Sequence, residues 1–161
     1  MSAQGFERHD HAACITDGLA AAERVCAERG LQLTRVRRRV LEYLLGEHRA
    51  LGAYEILDRL SAEGLGKQPP VAYRALEFLV TNGFAHRVEK LNAFIACGLP
   101  GKTHHPVILI CSDCGAVAET ATNPAAGALG RAAKASGFAI DRTVIEAEGT
   151  CPRCAGAAGP A

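Results

Sequence analysis

Two Cys-x-x-Cys pairs constrain the fold of this chain more than any other feature of its sequence. The first pair, Cys111 and Cys114, follows an apolar run, and the second pair, Cys151 and Cys154, lies near the C-terminus. Two such pairs on well-separated turns suit one tetrahedral Zn²⁺ ion, because each tight turn presents two sulfurs to the same side. We therefore expect these four cysteines to hold a structural Zn²⁺ that joins the end of the chain to its middle.

Two alternatives for these cysteines are a redox-active pair and two independent free pairs. Neither pair has the strand and helix context of a thioredoxin-like motif, and Gly115 and Pro152 are turn residues suited to a zinc knuckle. The chain has seven cysteines, an odd number, and its N-terminus lacks the apolar segment of a signal peptide. Its apolar runs are also too short to span a bilayer. We therefore expect metal binding rather than disulfides, in a cytoplasmic protein with reduced thiols.

Composition and net charge describe an ordinary globular chain. Of its 161 residues, 48% are hydrophobic and 22% are charged, which allows one medium domain or two small ones. The formal net charge of +1 gives no marked signature of nucleic-acid binding. The charges are unevenly distributed, however, because residues 34–39 are rich in arginine and the chain after Cys97 is poor in basic residues. A polyanion is therefore expected to bind the first half.

Hydrophobic spacing predicts a winged helix-turn-helix in the first half of the chain. Residues 1–16 lack periodicity and are expected to form a mobile tail, in which His9, His11 and Cys14 are incidental metal ligands. Helices are predicted over residues 17–29, after the N-cap Thr34, near residues 52–63, and from Pro69-Pro70 to Asn82. Two alternating segments between Gly83 and Cys97 predict a hairpin. A hairpin after a helix-turn-helix indicates a wing, so residues 17–97 form the predicted DNA-binding domain.

The second half is predicted to be a small α/β domain, which makes the whole chain α+β. Residues 98–104 are rich in Gly and Pro and are expected to form a hinge. Residues 105–161 should contain a hairpin around the first Cys pair, a helix from Asn123-Pro124 to Gly137, and a strand from Phe138 to Ala147. A domain of this size needs a zinc-stapled sheet and a dimer partner to be stable.

His86, Cys97, His104 and Glu119 form a second candidate metal site. Taken singly, each residue is more often core filler than a ligand. The four can meet at one ion only between the two domains, because two lie in the wing, one in the hinge and one in the second domain. Two neutral imidazoles, a thiolate and a carboxylate balance the charge of Zn²⁺, and the thiolate favours zinc over iron or manganese. Without metal, two anions would face each other and the contact should loosen.

With these motifs in view, the chain resembles the ferric uptake regulator family of metal-sensing bacterial repressors, most closely its zinc uptake regulator branch. The similarity extends from about Leu19 to Cys154. The terminal Cys pair carries part of this similarity. The rest is carried by residues 33–34, 53–57, 69–79, 83–89 and 110–115. The resemblance implies a homodimer that binds a double-stranded DNA operator and represses zinc uptake genes. It implies neither an enzyme, a membrane protein nor a binder of small-molecule substrates.

The resemblance also assigns the two metal sites, with about two Zn²⁺ per chain. It implies that the four paired cysteines hold structural zinc, and that His86, Cys97, His104 and Glu119 form the regulatory zinc site. Iron- and manganese-sensing members carry additional His and Asp ligands where this chain has residues 106–108, so their third site is expected to be absent. His105 is a neighbour that can substitute for His104.

The resemblance places DNA contacts on the helix-turn-helix. Arg74 is the candidate for a bidentate guanine contact and Tyr54 for a thymine or base-edge contact. Phosphate contacts are expected from Arg37, Arg38, Lys67 and Tyr73. The chain departs from the family at Val71, where Thr is usual, and at Arg35, where Pro is common. Both changes alter the surroundings of the expected contacts.

Two other functions are compatible with parts of the sequence. A regulator of the same family can respond to redox state, to peroxide, or to iron or manganese. A zinc enzyme would need an open coordination position beside an acid/base carboxylate. The chain has no His-Glu-x-x-His motif and no His-x-Glu followed by Cys-x-x-Cys in deaminase order, and its second cluster offers four protein ligands. Repression under zinc control is therefore the favoured prediction.

Overall fold

The chain folds into a helical region with a hairpin, followed by a region built on a three-stranded sheet, which confirms the α+β class. The computed structural model describes Phe6, residues 11–123 and residues 126–157. The helices are α1 (His11–Arg29), α2 (Arg35–Leu45), α3 (Ala53–Ala62), α4 (Pro69–Thr81), α5 (Ala128–Ala135) and α6 (Pro152–Ala157). The strands are β1 (Ala85–Val88), β2 (Ala93–Ala96), β3 (His105–Cys111), β4 (Val117–Thr122) and β5 (Ile145–Gly149). None of the helices in these ranges is both long and apolar enough to cross a membrane.

Helix α1 begins earlier than the sequence predicted. It starts at His11, so residues 11–16 are helical and not part of a tail. The reason is packing, because Ile15 extends the apolar face of the helix onto the core and Gly18 lets the helix backbone approach Leu45 closely. The other residues of the expected tail, including His9, lie outside the described ranges.

The predicted helix-turn-helix and wing are present. Thr34 caps α2, and its hydroxyl accepts a hydrogen bond from the amide of Arg37 at 3.4 Å. Helix α4 starts with proline at its first positions. Its apolar face is buried against α2 and α3. Strands β1 and β2 pair antiparallel, with His86 opposite Ile95. A bridge from Leu51 to Phe94 adds the α2–α3 loop to the hairpin, which completes a winged helix.

The second sheet has β3 at its centre, antiparallel to β4 and parallel to β5. Strand β5 is shorter than predicted, because it begins at Ile145 and not at Phe138. The amide of Phe138 instead donates to the carbonyl of Ala133 at 2.9 Å and closes the end of α5 after Gly137. Helix α5 begins at Ala128, later than expected, and the predicted start at Pro124 lies outside the described residues.

An apolar cluster joins the wing to the second sheet. Val88 and Ile95 from the wing pack with Ile108, Ile110 and Val117 from strands β3 and β4. All five side chains are buried, and Val88 has no exposed surface. The two regions therefore share a hydrophobic contact made by side chains that are not candidate metal ligands.

The predicted hinge, residues 98–104, packs against α1. Gly101 has a φ of 77°, and a Cβ there would lie 2.5 Å from Cγ2 of Val25. The guanidinium of Arg29 donates to the carbonyl of Gly101 at 3.2 Å. The connection between the two regions is therefore fixed in this arrangement by a close backbone approach to the first helix.

The N-cap of α2 provides a test of the fold. Thr34→Ala removes the hydroxyl that accepts the Arg37 amide, and we expect a loss of about 1 kcal/mol in the free energy of unfolding. Thr34→Ser keeps the hydroxyl and should remain near wild type. Urea unfolding of the metal-loaded protein, followed by circular dichroism, measures both. An equal loss in the two variants would assign the effect to the methyl group of Thr34 and contradict the capping role.

Candidate metal centres and nucleic-acid interface

The four paired cysteines come together at one end of the second sheet. Cys111 ends β3, and Cys114 lies in the turn to β4. The parallel pairing of β3 with β5 places Cys111 opposite Gly149, which brings Cys151 and Cys154 to the same turn. The four sulfurs lie within 4.8 Å of one another, and those of Cys114 and Cys151 are 3.8 Å apart. None of the chain's cysteines forms a disulfide.

The surroundings of this cluster favour the thiolate form of Cys111. Backbone amides, first that of Cys114 and then that of Cys151, lower the pKa of Cys111 to about 6. The amide of Cys151 donates to the Cys111 sulfur at 3.3 Å. Cys154 has the opposite shift, because hydrogen bonds with the other sulfurs raise its pKa to about 12. The cluster therefore cannot ionise fully without a cation, and four sulfurs at this spacing fit tetrahedral Zn²⁺.

The second cluster draws its ligands from both regions of the chain. His86 lies on β1, Cys97 follows β2, His104 precedes β3 and Glu119 lies on β4. The Glu119 Oε1 atom is 3.1 Å from Nε2 of His86 and 2.7 Å from Nε2 of His104. The Cys97 sulfur is 3.6 Å from Nε2 of His104. All four candidate ligand atoms lie within 4.8 Å of one another, so the structure brings together the four residues that the sequence grouped.

Backbone groups orient the side chains of this cluster. The amide of Gly98 donates to Oε2 of Glu119 at 2.7 Å, and the amide of Leu99 donates to the Cys97 sulfur at 3.3 Å. Nδ1 of His104 lies 2.9 Å from the carbonyl of Lys102, which keeps Nε2 turned toward the cluster. Side-chain spacing in the sequence gives no signal for these main-chain contacts, so sequence analysis missed them.

The electrostatics of the second cluster differ from the sequence prediction of two opposed anions. Burial, followed by the charge of Glu119, raises the pKa of Cys97 to about 12, so its thiol is neutral. Burial also raises the pKa of Glu119, but hydrogen bonds and charge from His86, with further bonds from Gly98 and His104, outweigh it and leave the pKa below its usual value. Only one anion is present, and both imidazoles face it. Glu119 therefore hydrogen-bonds to both imidazoles in this arrangement.

The donor set fits a closed zinc site. Two imidazole nitrogens, one sulfur and one carboxylate oxygen are typical tetrahedral Zn²⁺ ligands, and sulfur disfavours the harder divalent ions. His105 does not join the group, because it is exposed and pairs with Thr122 along the sheet. Across the part of the chain that the structure describes, His11 and Cys14 of α1 belong to neither cluster. The ring of His11 instead lies 4.3 Å from that of His48.

The predicted DNA-contacting residues divide into two groups. Tyr54 on α3 and Tyr73 on α4 are 64% and 48% exposed, and Arg74 and Lys67 are exposed as well. Arg74 projects from the first turns of α4, where a recognition helix reads base edges. These four residues keep the surface character that the prediction requires.

The other two predicted contacts, Arg37 and Arg38, are engaged within the protein. Arg37 lies over the ring of Phe78 at 3.8 Å and donates to the carbonyl of Gln32 at 2.7 Å. Arg38 pairs with Glu23 and with Glu42. These contacts occupy only part of the donor capacity of each guanidinium, so phosphate would have to share it with the protein partners.

Val71, where the family usually has Thr, has a packing role. Its side chain lies against Gly66, whose φ is 148° and whose missing Cβ would be 2.7 Å from Val71 Cγ1. The valine therefore occupies space at the turn before α4, and Gly66 is required there by both its conformation and its closeness to Val71.

The fold and the two clusters define a winged-helix protein with two metal-binding sites, one in the second sheet and one between the two regions. The model of the ferric uptake regulator family matches residues 28–147, and the chain belongs to this family. It is 39% identical over 137 residues to the zinc uptake regulation protein of Escherichia coli K12. The aligned residues cover 84% of this chain and 80% of that protein.

Solved structures agree with this assignment. A zinc uptake regulator complexed with zinc and DNA is 38% identical, with a TM-score of 0.81 over 89% of this chain and 96% of that one. Holo XcZur, 39% identical, matches with a TM-score of 0.77 over 86% of this chain and 96% of its own. Apo XcZur has the same identity but a TM-score of 0.51, over 89% and 99%. At equal identity, the higher TM-score shows that this structure is more similar to the holo structure than to the apo structure.

The pKa of Cys97 predicts how the second cluster takes up metal. Its thiol is protonated at pH 8 and must ionise to bind, so we expect about one proton to be released per Zn²⁺ bound there. Cys97→Asp supplies an anionic ligand that is already deprotonated, so it should release close to none. Calorimetric titration in two buffers of different ionisation enthalpy, with the four-cysteine site already filled, measures the difference. Equal proton release from the two proteins would show that Cys97 is not the source.

Proposed function

We propose that this protein is a cytoplasmic, zinc-responsive transcriptional repressor that controls zinc uptake genes. The observation that carries the proposal is the cluster of His86, Cys97, His104 and Glu119, because its ligand atoms come from the winged helix, the connecting segment and the second sheet. A metal site so placed links metal occupancy to the position of the DNA-binding region. The similarity to a zinc uptake regulator complexed with zinc and DNA supports zinc as the ion and DNA as the partner.

The proposed switch is a shift between two arrangements of the wing and the second sheet. Bound Zn²⁺ would supply the positive charge that the thiolate of Cys97 and the carboxylate of Glu119 need in order to lie side by side. His86 and Cys97 hold the wing side of the site, and His104 and Glu119 hold the other. Zinc can shift the equilibrium only by the difference between its affinities for the closed and open arrangements. The open arrangement separates the ligands and therefore binds zinc weakly.

A homodimer is the proposed DNA-binding unit. Helix α5 has no buried residue, and Leu129 and Phe138 are 47% and 68% exposed, so the described surface of the second sheet region leaves apolar groups uncovered. A second copy of the chain covers such a face in a symmetric dimer. Two copies of α4 would then enter two major-groove half-sites, and the closed arrangement fixes their spacing.

The alternatives fit the second cluster less well. A sensor that oxidises a cysteine needs a reactive thiolate, whereas Cys97 is only 5% exposed and burial keeps its pKa high. A sensor that works by metal-linked oxidation needs a redox-active ion, and Zn²⁺ is not one. Iron and manganese favour a site without thiolate. Members of the ferric uptake regulator family are transcription regulators and not enzymes, and four protein ligands leave a tetrahedral ion no open position for catalysis.

The zinc response is tested by operator binding at buffered free Zn²⁺, measured by fluorescence anisotropy together with metal content. Wild type should hold about two Zn²⁺ per chain and bind DNA only as free zinc rises. Cys97→Ser should keep one Zn²⁺ in the four-cysteine site and lose the response. Cys14→Ser, at a partly exposed cysteine of α1 outside both clusters, is the matched control and should respond like wild type. DNA binding that ignores zinc while the four-cysteine site stays filled would contradict the proposal.

The reading of base sequence is tested at Arg74. Arg74→Ala should weaken binding to the operator by about 1–3 kcal/mol and leave binding to random DNA nearly unchanged. Lys67→Ala, which removes a proposed phosphate contact, should weaken both by similar amounts. Titration of each variant against the operator and a scrambled duplex at one salt concentration separates the two roles. An equal loss on both duplexes for Arg74→Ala would refute the specific contact.

A further inference from the structure

Three side chains form a row across the second sheet, directly beneath the wing. Ile108 on the central strand β3 pairs with Glu119 on β4 and with Glu146 on β5. Side chains in such a cross-strand row project from the same face of a sheet. Ile108 packs against Val88 and Ile95 of the wing, so this face is the one on which the wing rests. Glu119 and Glu146 therefore flank the apolar contact on its two sides.

Glu146 binds the turn of the wing through main-chain groups. Its Oε1 atom accepts a hydrogen bond from the amide of Glu89 at 2.5 Å, and its Oε2 atom accepts one from the amide of Lys90 at 2.9 Å. Both amides belong to the turn that follows β1, and the Glu146 side chain is half-buried. One carboxylate thus satisfies two neighbouring backbone donors with charge-assisted hydrogen bonds.

Strand β1 crosses the row from one end to the other. His86 contacts Glu119, Val88 packs in the cluster with Ile108, and the next residue, Glu89, contacts Glu146. Three residues of extended chain span about 10 Å, and two spacings between neighbouring strands also span about 10 Å. The length of β1 therefore matches the width of the sheet, and each end of the strand is held by a carboxylate.

We propose that Glu146 is a metal-independent latch for the wing and sets the zinc concentration at which the protein adopts its DNA-binding arrangement. Glu119 contacts the wing through His86, a side chain of the candidate metal site, whereas Glu146 bonds to main-chain amides of the wing turn. Glu146 is thus a positioning residue. This inference rests on the proposed zinc response. The neighbouring ion pairs, Lys90 with Glu148 and Arg142 with Glu89, are exposed and contribute little.

The direction in which a substitution of Glu146 shifts the zinc concentration for half-maximal DNA binding separates a latch from a simple change of charge. If the metal-free protein is mainly open, a tenfold weakening of the closed arrangement raises the free zinc needed for half-maximal DNA binding about tenfold. Loss of an acidic residue near bound DNA would by itself strengthen binding, because phosphate repels carboxylate. A latch and a bare charge effect at Glu146 therefore act in opposite directions.

The experiment compares full-length wild type, Glu146→Ala, Glu146→Gln and Glu148→Ala, all with the four-cysteine site filled. We expect the free zinc at half-maximal operator binding to rise about tenfold for Glu146→Ala and by less for Glu146→Gln, which keeps one accepting oxygen. Glu148→Ala, a carboxylate of the same strand in an exposed ion pair, should stay within about twofold of wild type. Hydrogen exchange of peptides covering residues 84–96, in zinc-loaded protein, should be faster in Glu146→Ala.

Two results would show that Glu146 is not a latch for the wing. An unchanged zinc midpoint and unchanged exchange in Glu146→Ala, with a normal response in wild type, would overturn the latch. An equal rise in Glu148→Ala would also overturn it, because the effect would then not depend on the hydrogen bonds of Glu146 to the wing turn. If wild-type DNA binding ignores zinc, the proposed function fails. In that case, faster hydrogen exchange in Glu146→Ala would still support the contact between Glu146 and the wing. Unchanged hydrogen exchange would refute that contact. If Glu146→Ala does not fold, Glu146→Gln provides the same two readouts.

Discussion

The carboxylate of Glu119 is the group on which the arrangement of the two regions depends. It is nearly buried, at 9% exposure of its side chain, yet its pKa lies below the usual value because His86, Gly98 and His104 all bond to it. A buried anion is stable only while its partners stay in place. Those partners come from the wing, the connecting segment and the residue before β3, so their separation would leave a buried charge unpaired. The position of the wing is therefore tied to the solvation of one side chain.

The two metal clusters serve different parts of the same architecture. The four cysteines close a sheet whose parallel strand β5 comes from the end of the chain, and their sulfurs lie within one region. The second cluster lies between regions, where an apolar contact of Val88 and Ile95 on the sheet already exists. Removal of zinc from the first cluster should therefore destabilise a domain, whereas removal from the second should change an equilibrium between arrangements. The difference follows from which elements supply the ligands, since both donor sets suit the same ion.

The sequence predicted the winged helix and both ligand groups because their signals are local or chemically specific. Thr34, the Pro69–Pro70 pair and the Cys-x-x-Cys spacing each indicate a structure by themselves. The predicted starts of α1 and β5 were wrong because tertiary and capping contacts decide them. Packing of Ile15 extends α1, and the closure of α5 by Phe138 delays β5. Glu146 was missed because a carboxylate that binds main-chain amides leaves no pattern in the sequence. The engagement of Arg37 with Phe78 was missed for the same reason, since residues far apart in the chain meet only after folding.

The parallel pairing of β3 with β5 has a consequence for the order of events during synthesis. The helices and hairpin of the first region form mainly from contacts between neighbouring elements, whereas β3 must wait for Ile145–Gly149 and for Cys151 and Cys154. A nascent chain can thus complete its winged helix before its sheet can close. Until Cys151 and Cys154 have been synthesised, the chain would lack the stapled sheet and the folded region that carries the dimer surface. A single winged helix that contacts only one half-site binds DNA weakly. Incomplete copies of the protein would therefore not occupy the operator during synthesis.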